Sequence, residues 1–247
     1  IGDIFLHSTL PGKEITKERG AIIQEIDMYE DMPMRNVDNV FDAMMFGTDH
    51  PLGRTILGPK ENIRRFTRKE FASYHARHYT PANTVVCIAG SFAEDKVLST
   101  IKREFGKLKK VEPPQPLSFT GEQAQPRIAV KHKNTDQTHL MLGVPAYPYL
   151  HKDEYVLAVL ATILGGGMSS RLFIEVREKR GLAYSVSAWA EKFFDTGYFA
   201  VQAGVEHGKL EKAVSTILTE VAEPSGLLVV DDQLLIVESA THRITAI

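Results

Sequence analysis

Residues 169–184 read SSRLFIEVREKRGLAY and set the local architecture of the second half of the chain. The serines at the start of this segment are typical of a helix N-cap, and Gly181 predicts the end of that helix. Tyr184 then opens an alternating pattern that favours a β-strand. Because Arg177 falls in the last helical turn, we expect Arg177 and Tyr184 to project from one helix-to-strand corner.

Both side chains at this corner are hydrogen-bond donors. A guanidinium and a phenol are donors that can stabilise an oxyanion developing on a peptide carbonyl. A purely structural role is the alternative, because an arginine near a helix C-terminus complements the helix dipole and a tyrosine often starts a strand. The segment alone leaves both interpretations open.

The elements around this segment form two blocks. Prolines, glutamines and few large apolar residues predict a linker at 108–126, which separates residues 1–107 from residues 127–247. Helices and strands are interspersed without regular alternation, which indicates an α+β fold rather than a doubly wound parallel sheet. The pattern predicts helices at 16–29, 37–46, 67–78, 94–105, 154–164, 210–221 and 231–243, and strands at 84–89, 127–131, 138–144, 184–189 and 197–203.

The first predicted helix, which we expect Thr16 to cap, carries two acids in line. Glu18 and Glu25 are two helical turns apart on a face that Ala21, Ile22 and Tyr29 make otherwise apolar. An unpaired buried carboxylate is costly, so it is normally paired, protonated or bound to a metal. Three interpretations stay open: a solvated helix edge, pairing with arginines, or a metal ligand with a supporting acid.

Composition excludes several classes of protein. The 29 Lys and Arg residues balance 31 Asp and Glu residues, so net charge favours neither nucleic acid nor an anionic membrane as partner. No apolar run approaches the roughly 18 residues of a membrane span. A single cysteine, Cys87, excludes an internal disulfide, and its apolar neighbours predict a buried thiol in a reducing compartment.

Two segments together resemble a known family. Residues 18–26 (ERGAIIQEI) and 169–184 are similar to the pitrilysin family of zinc metallopeptidases, which includes insulin-degrading enzyme, mitochondrial processing peptidase and bacterial processing proteases. Residues 50–53 (HPLG), residues 79–83 (YTPAN) and the proline-rich linker fit the same pattern, in order along the whole chain.

The resemblance implies a fold and a set of roles. It implies two related domains of the processing-peptidase type, each an antiparallel-rich sheet with helices packed on it. Residues 1–107 would be the C-terminal part of the zinc-binding domain, which is incomplete, and 127–247 the second, substrate-gripping domain, truncated at its C-terminus. Family members bind zinc through the two histidines of an HxxEH motif and a later glutamate. Glu25 matches that glutamate, Glu18 a supporting acid, and Arg177 with Tyr184 the pair that holds the substrate backbone.

One departure from the family pattern is decisive. None of the nine histidines is followed by Glu at i+3 and His at i+4, so HxxEH is absent from these 247 residues. We therefore expect an internal fragment of a zinc-dependent endopeptidase, inactive and metal-free by itself. The alternative is a non-catalytic family subunit that serves as a binding or assembly module.

The expected partners follow from the same resemblance. They are an unstructured or presequence-like peptide and either a complementary half or further copies of the chain, with neither nucleic acid nor membrane. The expected location is the bacterial cytoplasm, with the mitochondrial matrix as the alternative.

Two other motifs invite binding functions and are better explained otherwise. His75 and His78 could touch one ion from a helix, but no third ligand has suitable spacing, which favours a surface pair. Residues 165–167 are three glycines before a helix, yet they follow a helix and lack the Lys-Ser/Thr ending of a phosphate loop. They predict a flexible loop.

Overall fold

The computed structural model describes residues 1–121, 123 and 125–222, together with the backbone of one further strand, Leu235–Ser239. The chain divides into two compact units, Ile1–Ile26 with Leu57–Pro116, and Asp27–Ile56 with Leu117–Ile247. Residues 27–56 thus group with the second unit although they precede the predicted linker. Within 108–126, the described residues form neither helix nor strand. The assignment of functional domains stays a prediction.

Eight α-helices lie in the described part of the chain, and none is long and apolar enough to cross a membrane. They are α1 (Gly2–Leu6), α2 (Gly12–Asp31), α3 (Pro33–Phe46), α4 (Lys60–Arg65), α5 (Arg68–His78), α6 (Glu94–Phe105), α7 (Glu154–Gly165) and α8 (Leu210–Ala222). A π-helical segment, Phe173–Glu178, and 3-10 turns at Pro51–Gly53, Pro81–Asn83 and His207–Lys209 complete the helical structure of these residues.

In the first unit, local signals predict helix boundaries well where a cap is present. Thr67 starts α5 with a capping box, in which its backbone N–H donates to the Glu70 carboxylate at 2.9 Å. By contrast, the prediction that Thr16 caps α2 was wrong. The Thr16 hydroxyl donates to the Gly12 carbonyl at 3.0 Å inside the helix. The first turn is closed instead by Glu14 and Ile15, whose N–H groups donate to the Pro11 carbonyl.

The predicted strand at 84–89 does not form. Val85 is 88% exposed, and Cys87, predicted to be buried, is exposed as well. A strand needs a neighbour to accept and donate its backbone hydrogen bonds. None of the described strands pairs with this run. The run is apolar but has no backbone hydrogen bonds to a neighbouring strand among the described residues. The predictions of a strand at 84–89 and of a buried Cys87 were therefore both wrong.

The second unit is built on a five-stranded sheet. Its strands are β1 (Ile128–Val130), β2 (Thr138–Ala146), β3 (Ala183–Lys192), β4 (Gly197–Val205) and β5 (Leu235–Ser239), in the spatial order β1-β5-β2-β4-β3. All pairs are antiparallel except β1 with β5. This arrangement confirms the predicted α+β class.

The fifth strand corrects a prediction. A helix was predicted at 231–243, but residues 235–239 form β5, and the rest of that range lies outside the described residues. Four consecutive apolar residues, 234–237, suit a buried strand as well as a helix, and periodicity does not separate the two.

Each face of the sheet is covered by helices. On one face, α7, the π-helical segment and α8 enclose the larger core, which includes Leu140, Leu164, Leu172, Val176, Val201, Val205 and Ile217. On the other face, α3 packs Val37, Phe41, Met45 and Phe46 against Met141, Tyr198 and Ala200. Consequently β4 is buried on both faces along its whole length. Pro33 occupies the first turn of α3, which begins four residues before the predicted start.

Candidate active site

The helix-to-strand corner forms as the sequence predicts, through three local features. The π-helical segment ends with a bond from the Lys179 N–H to the Ile174 carbonyl at 2.8 Å. Gly181 follows with φ +56°, a left-handed conformation that favours glycine, and its N–H donates to the Arg177 carbonyl at 3.0 Å. The chain then enters β3, where the register shifts between Ala183 and Ser185, so that Tyr184 lies at a bulge.

The corner brings Arg177 and Tyr184 together. The Arg177 guanidinium carbon lies 5.5 Å from the centroid of the Tyr184 ring and 4.7 Å from that of Phe173. Tyr184 is 73% exposed, so its hydroxyl is open to a ligand. A guanidinium held by ring contacts keeps its N–H donors available at its edge.

Phe173 is the part of this arrangement that the sequence reasoning missed. The available signal was its spacing of one helical turn before Arg177.

Neighbouring charges distinguish Arg177 from the other basic residues of the segment. Lys179 and Arg180 both form ion pairs with Glu175, and their hydrogen bonds lower the pKa of that carboxyl. Arg177 has no ion pair within the described part of the chain. Of these three cations, Arg177 is therefore the one placed for an external anion or carbonyl oxygen.

The two predicted acids lie on α2 as expected, and both are exposed. Ile26 is the buried residue of this helix, so the face with Glu18 and Glu25 is solvated in the described chain. Arg19, between them, donates to the Phe66 carbonyl at 2.9 Å instead of pairing with either acid. Both acids are therefore solvated in the described chain, and the metal-ligand interpretation stays a prediction.

A zinc site in a protein needs three or four ligands. The exposed Glu25 carboxylate is a donor that zinc accepts, but within the described ranges no group of three or more His, Cys, Asp or Glu side chains is arranged to hold a metal. The described residues therefore form no complete zinc site, and a ligand role for Glu25 stays a prediction. The role of Glu18 beside it stays a prediction.

The two rival motifs have structural explanations. His75 stacks on Tyr79 with ring centroids 4.1 Å apart, and its Nε2 lies 2.9 Å from the Phe5 carbonyl oxygen. His78 stacks on Tyr74 at 4.1 Å. Both rings therefore take part in packing around α5.

The first of the three glycines is a packing residue. A Cβ on Gly165 would lie 2.1 Å from the Ala188 nitrogen, so the end of α7 approaches β3 too closely for a side chain.

Solved structures identify the fold. The peptidase M16 inactive domain from Pseudomonas fluorescens has a TM-score of 0.80 with this chain, covers 99% of it and 74% of its own length, and is 18% identical. A protease from Helicobacter pylori has a TM-score of 0.76, with 94% and 72% covered and 21% identity. The fold is that of M16-type peptidase domains.

Sequence comparisons then identify the family. The family model described as the peptidase M16 inactive domain matches residues 65–223. An uncharacterized zinc protease of Streptomyces coelicolor is 35% identical over 238 residues, and one of Mycobacterium leprae is 34% identical over 229 residues. The chain belongs to the M16, or pitrilysin, family of zinc peptidases.

The two relatives match nearly all of this chain, but the chain matches only part of each relative. The matches cover 94% and 92% of this chain but only 52% and 51% of the relatives, so the chain spans about half the length of the curated relatives it matches. Both relatives are bacterial proteins. The cellular compartment of this chain stays a prediction.

Proposed function

We propose that this chain is part of a zinc-dependent endopeptidase of the processing-protease type. In this proposal Glu25 is the third zinc ligand, Glu18 supports it, and Arg177 with Tyr184 holds the substrate. The observation that carries the proposal is the exposed corner in which the Arg177 guanidinium lies 5.5 Å from the Tyr184 ring. Membership of a family whose relatives are named zinc proteases supports it.

The proposed chemistry divides between two kinds of group. Zinc, when bound, supplies a Lewis acid and an activated water for attack on a peptide carbonyl. Arg177 donates N–H groups to the carbonyl oxygen of an unstructured peptide, and the Tyr184 hydroxyl donates a second hydrogen bond. Donors of this kind stabilise negative charge as it develops on that oxygen. Two histidines and a general base must come from residues outside this chain.

The metal assignment is tested on the intact protein by substituting Glu25→Gln. An amide keeps the shape of the side chain but is a weaker zinc ligand than a carboxylate. We expect the parent protein to contain one zinc per chain by elemental analysis and to cleave a fluorogenic peptide library, and the variant to lose both.

Glu14→Gln on the same helix, at another exposed position, is the matched control and should retain both properties. Full zinc occupancy and undiminished cleavage in the Glu25→Gln protein would contradict the assignment.

A second candidate, a non-catalytic subunit that binds peptides or assembles with a complementary half, is favoured by one observation. The matching family model is described as an inactive domain and includes both Arg177 and Tyr184. The same experiment separates the two functions. A parent protein without zinc or cleavage that still binds an unfolded peptide supports the subunit.

A further inference from the structure

A polar cluster lies within the interface between α3 and the sheet. Asp38 and Asp42 are one helical turn apart on α3, and both side chains are partly buried. Gln202 on β4 donates its side-chain amide to Asp38 Oδ1 at 2.9 Å and to the Met34 carbonyl at 2.8 Å. Two acids thus lie at an interface whose buried side chains are mostly apolar.

Asp42 is poorly compensated at this position. Its Oδ1 atom is buried without a hydrogen-bond partner among the described residues. Its carboxyl interacts with the Tyr198 hydroxyl and lies near the negative charges of Asp38 and Glu191. Tyr198 is itself 5% exposed, and its ring meets Phe41 edge-on at 4.9 Å. A charged carboxylate here loses water and gains little in return.

Few cations offset these acids. Arg35, on α3 itself, is the positive charge that acts on Asp38. Lys131, which follows β1, donates to Asn36 at 3.2 Å. The titratable or charged groups on the elements packed around the pair, within the described side chains, are Arg35 on α3, His50 in the turn after α3, Arg127 before β1, whose guanidinium donates to the Met45 carbonyl at 3.3 Å, Lys131 after β1, His139 on β2, Glu191 on β3 and Tyr198 on β4.

Burial moves the titration of the pair into the physiological range. Desolvation raises the pKa of Asp38 to about 6, which the charge of Arg35 partly opposes. Desolvation, together with the charges of Asp38 and Glu191, raises the pKa of Asp42 to about 7, although the Tyr198 hydroxyl opposes this shift. The pKa of Tyr198 is raised as well, so its phenol stays protonated.

We propose that the Asp38–Asp42 pair makes the docking of α3 on the sheet sensitive to pH, tight at mildly acidic pH and weaker at mildly alkaline pH. The direction of this pH dependence follows from proton linkage. An undocked carboxyl has its ordinary pKa of 3.8 and releases its proton at a pH where the docked carboxyl still holds one, so rising pH favours the undocked state. The stabilisation is complete below that value and is lost as pH rises through about 6 to 7.

The chain contains its own reporter for this change. Trp189, its single tryptophan, is packed against the hydrophobic cluster that α3 forms with the sheet. We expect its emission to shift between pH 5 and 8.5 with a midpoint between 6 and 7, the range of the two raised pKa values. Amide exchange over residues 33–46, corrected for intrinsic rates, should speed up by at most about tenfold per pH unit for each carboxyl.

Substituting the two acids tests whether they cause the pH transition. Asp38→Asn with Asp42→Asn should abolish it, whereas Asp49→Asn, an exposed acid just beyond α3, should leave it unchanged. A transition that survives the double substitution overturns the proposal, and its disappearance with His139→Gln or His50→Asn would assign it to a histidine instead. If the double variant does not fold, exchange in the parent chain decides, and α3 protection that is constant from pH 5 to 8.5 overturns it as well.

Discussion

The guanidinium of Arg177 and the ring of Tyr184 lie 5.5 Å apart although the residues are seven positions apart in sequence. In a continuous helix that separation would be about two turns, or roughly 10 Å. The chain reverses at Gly181 instead, and the bulge at the start of β3 turns Tyr184 outward. The break in the helix at Gly181 is therefore what brings Arg177 and Tyr184 together.

This relationship leads to a prediction for the intact protein. Arg177→Lys keeps the charge but removes the planar fork of donors, so we expect kcat for peptide cleavage to fall by about 10²-fold. The free energy of unfolding should change little because lysine keeps a positive charge beside the Phe173 and Tyr184 rings. Arg180→Lys, whose parent residue pairs with Glu175, is the matched control and should stay near the parent rate. Equal rates for the two variants would contradict the role of Arg177.

The glycines at the end of α7 provide a test of packing. At Gly165 a Cβ would lie 2.1 Å from the Ala188 nitrogen and 2.5 Å from its Cβ, whereas Gly167 has nothing within 4 Å. Gly165→Ala should therefore destabilise the second unit by about 1–3 kcal/mol, as overpacking does. Gly167→Ala should change stability by less than about 0.5 kcal/mol. Urea unfolding measures both, and equal midpoints would show that the α7–β3 approach is looser than described.

An ion pair between α8 and the residues just before the π-helical segment supports a second stability prediction. Arg171 Nη2 lies 3.0 Å from Glu220 Oε2, and the Glu220 side chain is only 10% exposed while that of Arg171 is 30% exposed. Glu220→Ala leaves a half-buried guanidinium without this carboxylate, and we expect a loss of about 2 kcal/mol, below the range for fully buried pairs.

The control for this ion pair lies on the same helix. Glu211→Ala, at an exposed position of α8, should be nearly neutral in the same unfolding experiment. A loss of similar size in both variants would attribute the effect to helix propensity instead of the ion pair.

The first unit leads to a prediction about association. Several large apolar side chains are exposed there, namely Tyr74, Val85, Ile88, Phe92 and Leu98. Exposed apolar surface favours association, so we expect this chain to form oligomers at micromolar concentration in sedimentation velocity. Val85→Lys with Ile88→Lys should shift the distribution toward monomer, and Leu150→Lys, at a 92% exposed position in the second unit, should not. A monodisperse monomer for the parent chain would refute the prediction.

Much of the fold and the site was accessible from sequence because it is encoded locally. The capping box at Thr67 sets the start of α5, and α6 spans the predicted residues 94–105 without change. The corner between Arg177 and Tyr184 depends on a helix signal, one glycine and an adjacent strand, all within sixteen residues. The face shared by Glu18 and Glu25 follows from helical geometry alone.

Other features depended on segments far apart in the chain. Residues 84–89 have a strand-like sequence, yet they remain exposed because no described strand pairs with them, and Cys87 is exposed for the same reason. Residues 235–239 became a strand, since they pair with β1 and β2. The acids of α3 are shielded from water because that helix covers a sheet whose first strand begins more than eighty residues later. Helix caps and turns act through neighbouring residues and so can be read from sequence, whereas strand pairing and burial require a partner surface that exists only once the chain has folded.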